Sequence, residues 1–148
     1  MARQLFGTDG IRGIAGEFPL DPKTTQAVGA ALGAWISDRH LEPEIVIGMD
    51  TRESGPAIAL SVAAGLANSG VKTRFAGVIT TPGVAYLART GHFAAGVMIS
   101  ASHNPYLDNG IKIIDHSGFK LPDEEEHALE GGIFEILNGD LAGSTCSI

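Results

Sequence analysis

The 148-residue chain is long enough to bury one real core and leaves little room for a second domain. Its 44% hydrophobic and 18% charged residues describe a globular rather than a disordered protein, and a net charge of −7 argues against a nucleic-acid surface, which needs a basic face. A single cysteine, Cys146, excludes a disulfide framework and a cysteine-based zinc site, and no apolar run approaches the roughly 18 residues of a membrane span. Met1-Ala2-Arg3-Gln4 passes straight into domain-like sequence with no secretory leader, so a cytoplasmic protein with no nucleic-acid or membrane partner is expected.

Leu5-Phe6-Gly7 can form only a short strand before a glycine-punctuated loop, Gly7-Thr8-Asp9-Gly10-Ile11-Arg12-Gly13. That loop offers a hydroxyl at Thr8, a carboxylate at Asp9 and a guanidinium at Arg12. Its glycines let backbone amides face an anion, and Arg12 can grip phosphate through two donors. Spacing alone equally allows an N-terminal turn with Arg12 on the surface. Asp21-Pro22 then starts a helix over 22–39, with Asp21 as N-cap and Val28, Leu32, Trp35 and Ile36 on its buried stripe.

Ile45-Val46-Ile47-Gly48 reads as a buried strand that opens into Asp50-Thr51-Arg52-Glu53-Ser54, at the strand end where open α/β folds bind ligands. Arg52 is read as shaping that loop by pairing with Asp50 or Glu53, in preference to holding phosphate. Residues 56–69 form a helix with Ala59, Val62, Ala63 and Leu66 inward and Gly70 as its stop, and residues 71–75 a strand. Thr80-Thr81-Pro82 caps a short helix over 83–89.

The apolar run Ala94 to Ile99 delivers Ser100-Ala101-Ser102-His103-Asn104-Pro105, and Ile111 to Ile114 leads away from it. Pro105 fixes its own φ, and Asn109-Gly110 predicts a tight turn with φ > 0, so Ser102, His103 and Asp108 sit on a stiff loop with Lys112 just beyond. Asp115-His116-Ser117-Gly118 predicts a hairpin turn. Pro122 to Glu126 starts a last helix with Leu129, Ile133 and Leu137 inward, its acids solvated at the positive end of the helix dipole and not a metal site. The alternation predicts an α/β fold, a three-layer α/β/α sandwich with a mixed, mostly parallel sheet. Residues 1–139 form the domain, and 140–148 read as a tail or truncated linker.

Four chemistries compete at Ser102. It can accept a phosphoryl group, with Arg12, Lys112 and His103 supplying charge and proton transfer, because phosphoryl transfer needs chiefly positioning and cationic stabilisation. A hydrolase nucleophile is disfavoured, since the G-x-S-x-G elbow is missing and His103 is poorly placed to deprotonate its own neighbour. The remaining two are a stand-alone module that binds a sugar phosphate and a purely structural pair of turns.

Ile99-Ser-Ala-Ser-His-Asn-Pro105 with Asp108-Asn-Gly-Ile-Lys112 resembles the phosphoserine loop of the α-D-phosphohexomutases, and Leu5-Phe-Gly-Thr-Asp-Gly-Ile-Arg-Gly13 resembles their opening motif. Gly48 to Gly55, and Thr80-Thr-Pro82 with Ala85-Tyr-Leu87, match in the same order. The Ser102 loop is more similar to the bacterial phosphoglucosamine mutase branch than to the phosphomannomutase/phosphoglucomutase branch. The resemblance implies that Ser102 is phosphorylated and that His103 and Lys112 assist proton transfer and neutralise charge. Arg12 would hold the phosphoryl group, and Thr8, Asp9 and Asn104 would bind substrate or phosphate.

The implied reaction interconverts glucosamine 6-phosphate and glucosamine 1-phosphate through a bisphosphorylated sugar, on the route to UDP-N-acetylglucosamine and cell wall. Mg²⁺ would be held in part by the Ser102 phosphate. The family has four domains and this chain matches the first alone. No two aspartates stand two apart, so the Asp-Gly-Asp type metal loop is missing. The chain alone is therefore expected to be inactive, a part of a longer enzyme. An isolated first domain could also pair through its helices, which leaves a homodimer open.

Overall fold

Three apolar runs meet at the centre of the sheet, and their burial on both faces explains why they read as continuous rather than alternating. The computed structural model describes residues 5–7 and 10–143. In chain order the elements are β1 (Phe6–Gly7), β2 (Gly10–Ile14), α1 (Pro22–Asp38), β3 (Glu44–Met49), α2 (Gly55–Ala67), β4 (Lys72–Val78), α3 (Thr81–Thr90), β5 (Ala95–Ile99), β6 (Asp108–Asp115) and α4 (Asp123–Gly143). They build one six-stranded sheet in the order β1-β2-β6-β5-β3-β4.

β4, β3 and β5 pair in parallel, while β6 runs antiparallel to both β5 and β2, and β1 antiparallel to β2. Strands β2, β3, β4 and β5 thus share one direction and the expected mixed, mostly parallel sandwich holds. One face is covered by α1, α2 and α4, which bury Val28, Leu32, Val62, Leu66, Leu129 and Ile133 against Ile45, Ile47, Val97, Ile99, Ile111 and Ile113. The opposite face is covered by α3, whose Val84 and Ala88 pack on Val46, Met98 and Ile114.

Local signals account for the helices. Asp21 accepts the Thr24 N–H at 3.2 Å ahead of α1, and Thr80 accepts that of Gly83 at 3.1 Å ahead of α3, so both expected caps form. Helices α1 and α2 touch backbone to backbone: a Cβ on Gly29 would lie 2.0 Å from the Val62 carbonyl oxygen, and one on Gly65 2.0 Å from that of Gln26. The hairpin turn after β6 also forms, with the Gly118 N–H on the Asp115 carbonyl at 3.0 Å and Gly118 at φ 91°.

Other expectations are corrected. The glycine-rich stretch is no open loop, because Gly10–Ile14 is drawn into the sheet between β1 and β6; Thr8 and Asp9 lie outside the described residues. Asn109-Gly110 is no turn either. Arg12 pairs with Gly110 and Gly13 with Asn109, so both belong to β6. Gly110 is needed for close approach instead, since a Cβ there would meet the Ser100 carbonyl oxygen at 2.7 Å and that of Ile11 at 2.9 Å.

The acid run is only partly solvated. Glu126 is buried at 1% exposure, where Lys120 meets it at 3.1 Å, and Glu125 accepts from Trp35 Nε1 at 2.8 Å. Further along, Glu130 turns inward and accepts the Leu5 and Phe6 N–H groups, fastening β1 to α4. Helix α4 continues to Gly143, into the stretch expected as a tail, and residues 144–148 lie outside the described residues.

Candidate active site

The parallel strands β3 and β5 end side by side, Met49 opposite Ile99, and this register brings their two following loops together. The Asp50 N–H donates to the Ile99 carbonyl at 3.1 Å, and the Ser100 N–H to the Gly110 carbonyl at 3.0 Å. The loop over 100–107 therefore leaves the sheet at the carboxyl ends of the parallel strands, the place where open α/β sheets bind ligands.

Ser102 is exposed and holds φ 52°, a left-handed conformation that is uncommon outside glycine. The positive φ that the sequence assigns to Gly110 falls on the serine. Arg12 Nη2 donates to Ser102 Oγ at 3.4 Å and Nη1 to Asn104 Oδ1 at 3.3 Å, so one guanidinium spans two of the expected residues. Asn104 in turn donates through Nδ2 to Asp108 Oδ2 at 3.2 Å, which fixes its amide orientation.

Three of the expected residues, Ser102, Arg12 and Asn104, are thus assembled. Strand alternation puts Lys112, opposite Met98, on the same face of the sheet as Arg12, opposite Gly110, so both cations stand on the α3 side. His103 is exposed on the loop. Among the described residues no hydrogen bond joins His103 or Lys112 to Ser102.

Behind the loop lies a set of polar residues that sequence reasoning did not assign to this site. Arg52 is 8% exposed and pairs with Asp50 at 3.1 Å, as expected from their spacing. Its Nη1 also donates to the carbonyls of Pro105 at 2.7 Å and Asp108 at 3.1 Å, and its Nη2 to those of Ser102 at 2.8 Å and Asn104 at 3.1 Å. Ser100 Oγ donates to Asp50 Oδ2 at 2.7 Å and accepts the Ser102 N–H at 3.1 Å.

Asn109, fully buried, donates to Ser54 Oγ at 2.7 Å, which ties β6 to the start of α2, where Ser54 makes no side-chain cap bond. These partners lie inside the matched motifs Gly48 to Gly55, Ile99 to Pro105 and Asp108 to Lys112, but nothing in the sequence signals how they join. Partial burial pushes the Asp50 carboxyl up, but the Arg52 N–H, the Ser100 hydroxyl and the Arg52 guanidinium outweigh it and hold the group below its ordinary range.

The arrangement presents an exposed hydroxyl beneath a guanidinium, a geometry suited to holding a phosphoryl group on Oγ. It is not a complete cation site. Among the described residues no three His, Cys, Asp or Glu side chains cluster to hold a metal, and the loop's own carboxylates are engaged, Asp50 by Arg52 and Ser100 and Asp108 by Asn104. Among the described residues no helix is long and apolar enough to cross a membrane.

The model of one family, described as phosphoglucomutase/phosphomannomutase, alpha/beta/alpha domain I, matches residues 3–140. A Solibacter usitatus protein named phosphoglucosamine mutase is 60% identical over all of this chain, which covers 33% of that protein. One of the same name from Koribacter versatilis is 55% identical over 91% of this chain and 29% of its own length. A solved structure from Thermus thermophilus, named provisionally as a phosphomannomutase, superposes with a TM-score of 0.79 at 34% identity, over 89% of this chain and 30% of that one. The chain thus spans about a third of the length of the curated relatives it matches.

Proposed function

The chain belongs to the phosphoglucomutase/phosphomannomutase family as its α/β/α domain I, and from that premise we propose that Ser102 carries the phosphoryl group of a hexosamine-phosphate mutase. The observation that carries the reading is the exposed Ser102 Oγ held 3.4 Å from Arg12 Nη2, on a loop whose partner contacts fix its backbone. In the forward half-reaction the Ser102 Oγ–P bond breaks as a new P–O bond forms to a sugar hydroxyl, and that hydroxyl's proton passes to a base. In the return half-reaction the sugar's other O–P bond breaks as the Ser102 Oγ–P bond re-forms, and the freed sugar oxygen takes back the proton held by the base.

Arg12 neutralises charge on the transferring group and Asn104 orients Arg12. His103 and Lys112 are the groups of this chain assigned to proton transfer and charge neutralisation. Thr8 and Asp9 are assigned to substrate or phosphate binding. Magnesium, which the family implies, would take one oxygen of the Ser102 phosphate from this chain and its carboxylates from elsewhere, in keeping with its oxygen preference. The glucosamine phosphates are preferred as substrates on the names of the 60% and 55% identical relatives, and glucose or mannose phosphates are the alternative.

The test uses the complete polypeptide to which this chain contributes domain I. An intact mass about 80 Da above the sequence mass, lost in Ser102→Ala together with interconversion of glucosamine 6- and 1-phosphate, is the expected result. Interconversion that survives Ser102→Ala overturns it, and faster turnover of mannose or glucose phosphates moves the substrate assignment. The 148-residue chain alone is expected to turn over none of these sugar phosphates, and turnover by it would overturn that expectation.

A further inference from the structure

We propose that Arg52 is a positioning residue for Ser102, gathering the carbonyls of the serine's loop so that they point away from the phosphoryl group and leave Ser102 Oγ beneath Arg12. This rests on reading Ser102 as the phosphoryl acceptor. A phosphoryl site needs cations on its outer side and carbonyl oxygens turned away. Four carbonyls of one short loop, those of Ser102, Asn104, Pro105 and Asp108, converge on the two terminal nitrogens of a single guanidinium at 2.7–3.1 Å.

Its third nitrogen, Nε, donates to Asp50 Oδ2 at 3.1 Å, so the donors face a carboxylate and four carbonyls and none is left for a ligand on the outside. Asp50 also offsets the buried charge and, through Ser100 Oγ, holds the Ser102 N–H from the other side. With its carbonyl and N–H both fixed, Ser102 is kept at φ 52°, a conformation a serine rarely adopts, with Oγ beneath Arg12. Lysine keeps the charge but lacks the planar fork, so it cannot bridge four acceptors.

Two measurements on Arg52→Lys test this. In the 148-residue chain, φ at Ser102 is read by three-bond couplings and cross-correlated relaxation. The variant is expected to keep its far-UV dichroism and lose the positive φ. In the complete polypeptide, kcat is expected to fall by roughly 10²-fold with KM unchanged, because misplacing the acceptor costs rate rather than binding. A merely structural arginine would lower the folded fraction and leave turnover per folded molecule alone.

Retention of the positive φ, or kcat within about twofold of the unsubstituted protein, overturns the proposal. Should Arg52→Lys not fold, the unsubstituted chain decides: couplings from Arg52 Nη through hydrogen bonds to the Ser102, Asn104 and Pro105 carbonyl carbons support it, and their absence overturns it. Absence of turnover in the unsubstituted complete protein would sink the mutase reading instead, while the φ measurement would still report on Arg52.

Discussion

Strand β6 is flanked by two tight connections built on opposite plans. The turn over 115–119 holds itself. Asp115 accepts the N–H groups of Ser117 and Phe119, Gly118 supplies the positive φ, and the Asp115 N–H reaches the Phe119 carbonyl at 2.8 Å. The loop over 100–107 is held mainly from outside, by Arg52 on the neighbouring strand's end and by Arg12 from β2. A self-sufficient turn leaves its backbone groups satisfied and has nothing to offer a substrate. A loop supported from behind can keep a serine exposed and strained at its tip, which is where functional strain tends to sit.

The comparison is broken most severely at residue 52. Arg52→Met leaves the part-exposed Asp50 without its ion pair and four carbonyls without a donor, so it should cost about 3 kcal/mol, the upper end for leaving buried acceptors unsatisfied. Denaturant unfolding measures that loss, and amide shifts show its reach: residues 100–108 should move and residues 115–119 should not. A cost below about 1 kcal/mol, typical of surface pairs, would mean the loop supports itself after all.

Gly110→Ala comes next. Its Cβ would meet two backbone carbonyl oxygens inside 3.0 Å, and neither can move without shifting β2 or the start of the Ser102 loop. A loss of about 1–3 kcal/mol is expected, as for other overpacked sites, with the Arg12 to Ser102 contact disturbed. Gly118→Ala is smaller, about 1–2 kcal/mol for a side chain at φ 91°, and its shift changes should stay within the turn and the α3 residues its Cβ would touch, Ala85 and Arg89, leaving residues 100–108 as they were.

The contrast also explains what could be read from the chain alone. The turn at 115–118, the caps at Asp21 and Thr80, and the buried strand at 45–47 rest on neighbours in sequence, so their patterns predicted them. The family motif supplied Ser102, Arg12 and Asn104. What escaped depends on tertiary register. Gly110 reads as a turn residue because Asn-Gly does so in isolation, until pairing with β2 claims it. Glu126 reads as solvated because helix starts favour acids, until Lys120 folds back to meet it. Arg52 reads as pairing locally, with Asp50 or Glu53, and the structure supplies Asp50, but four acceptors 50 to 56 residues away leave no periodicity to detect.

The smallest expected effect is also the most selective. Partial burial raises the Asp50 pKa, and the Arg52 N–H, Ser100 hydroxyl and Arg52 guanidinium more than reverse this, so the folded value lies below the ordinary 3.8. A carboxyl depressed by folding adds stability that is fully present above its unfolded pKa and is lost as pH falls through the folded one. The support behind Ser102 is therefore constant from neutral pH down to the ordinary carboxylate range and weakens only below it. The amide signals of Arg52 and Ser102 should report a midpoint under 3.8, because both N–H groups reach Asp50, one directly and one through Ser100 Oγ. Asp50→Asn should abolish that titration at both amides without moving the amide signals of Ser117 and Phe119, which donate to Asp115. A Ser102 amide that keeps its titration in Asp50→Asn would mean that the carboxylate behind β3 does not reach the serine, and the two connections of β6 would then differ in sequence but not in how they are held.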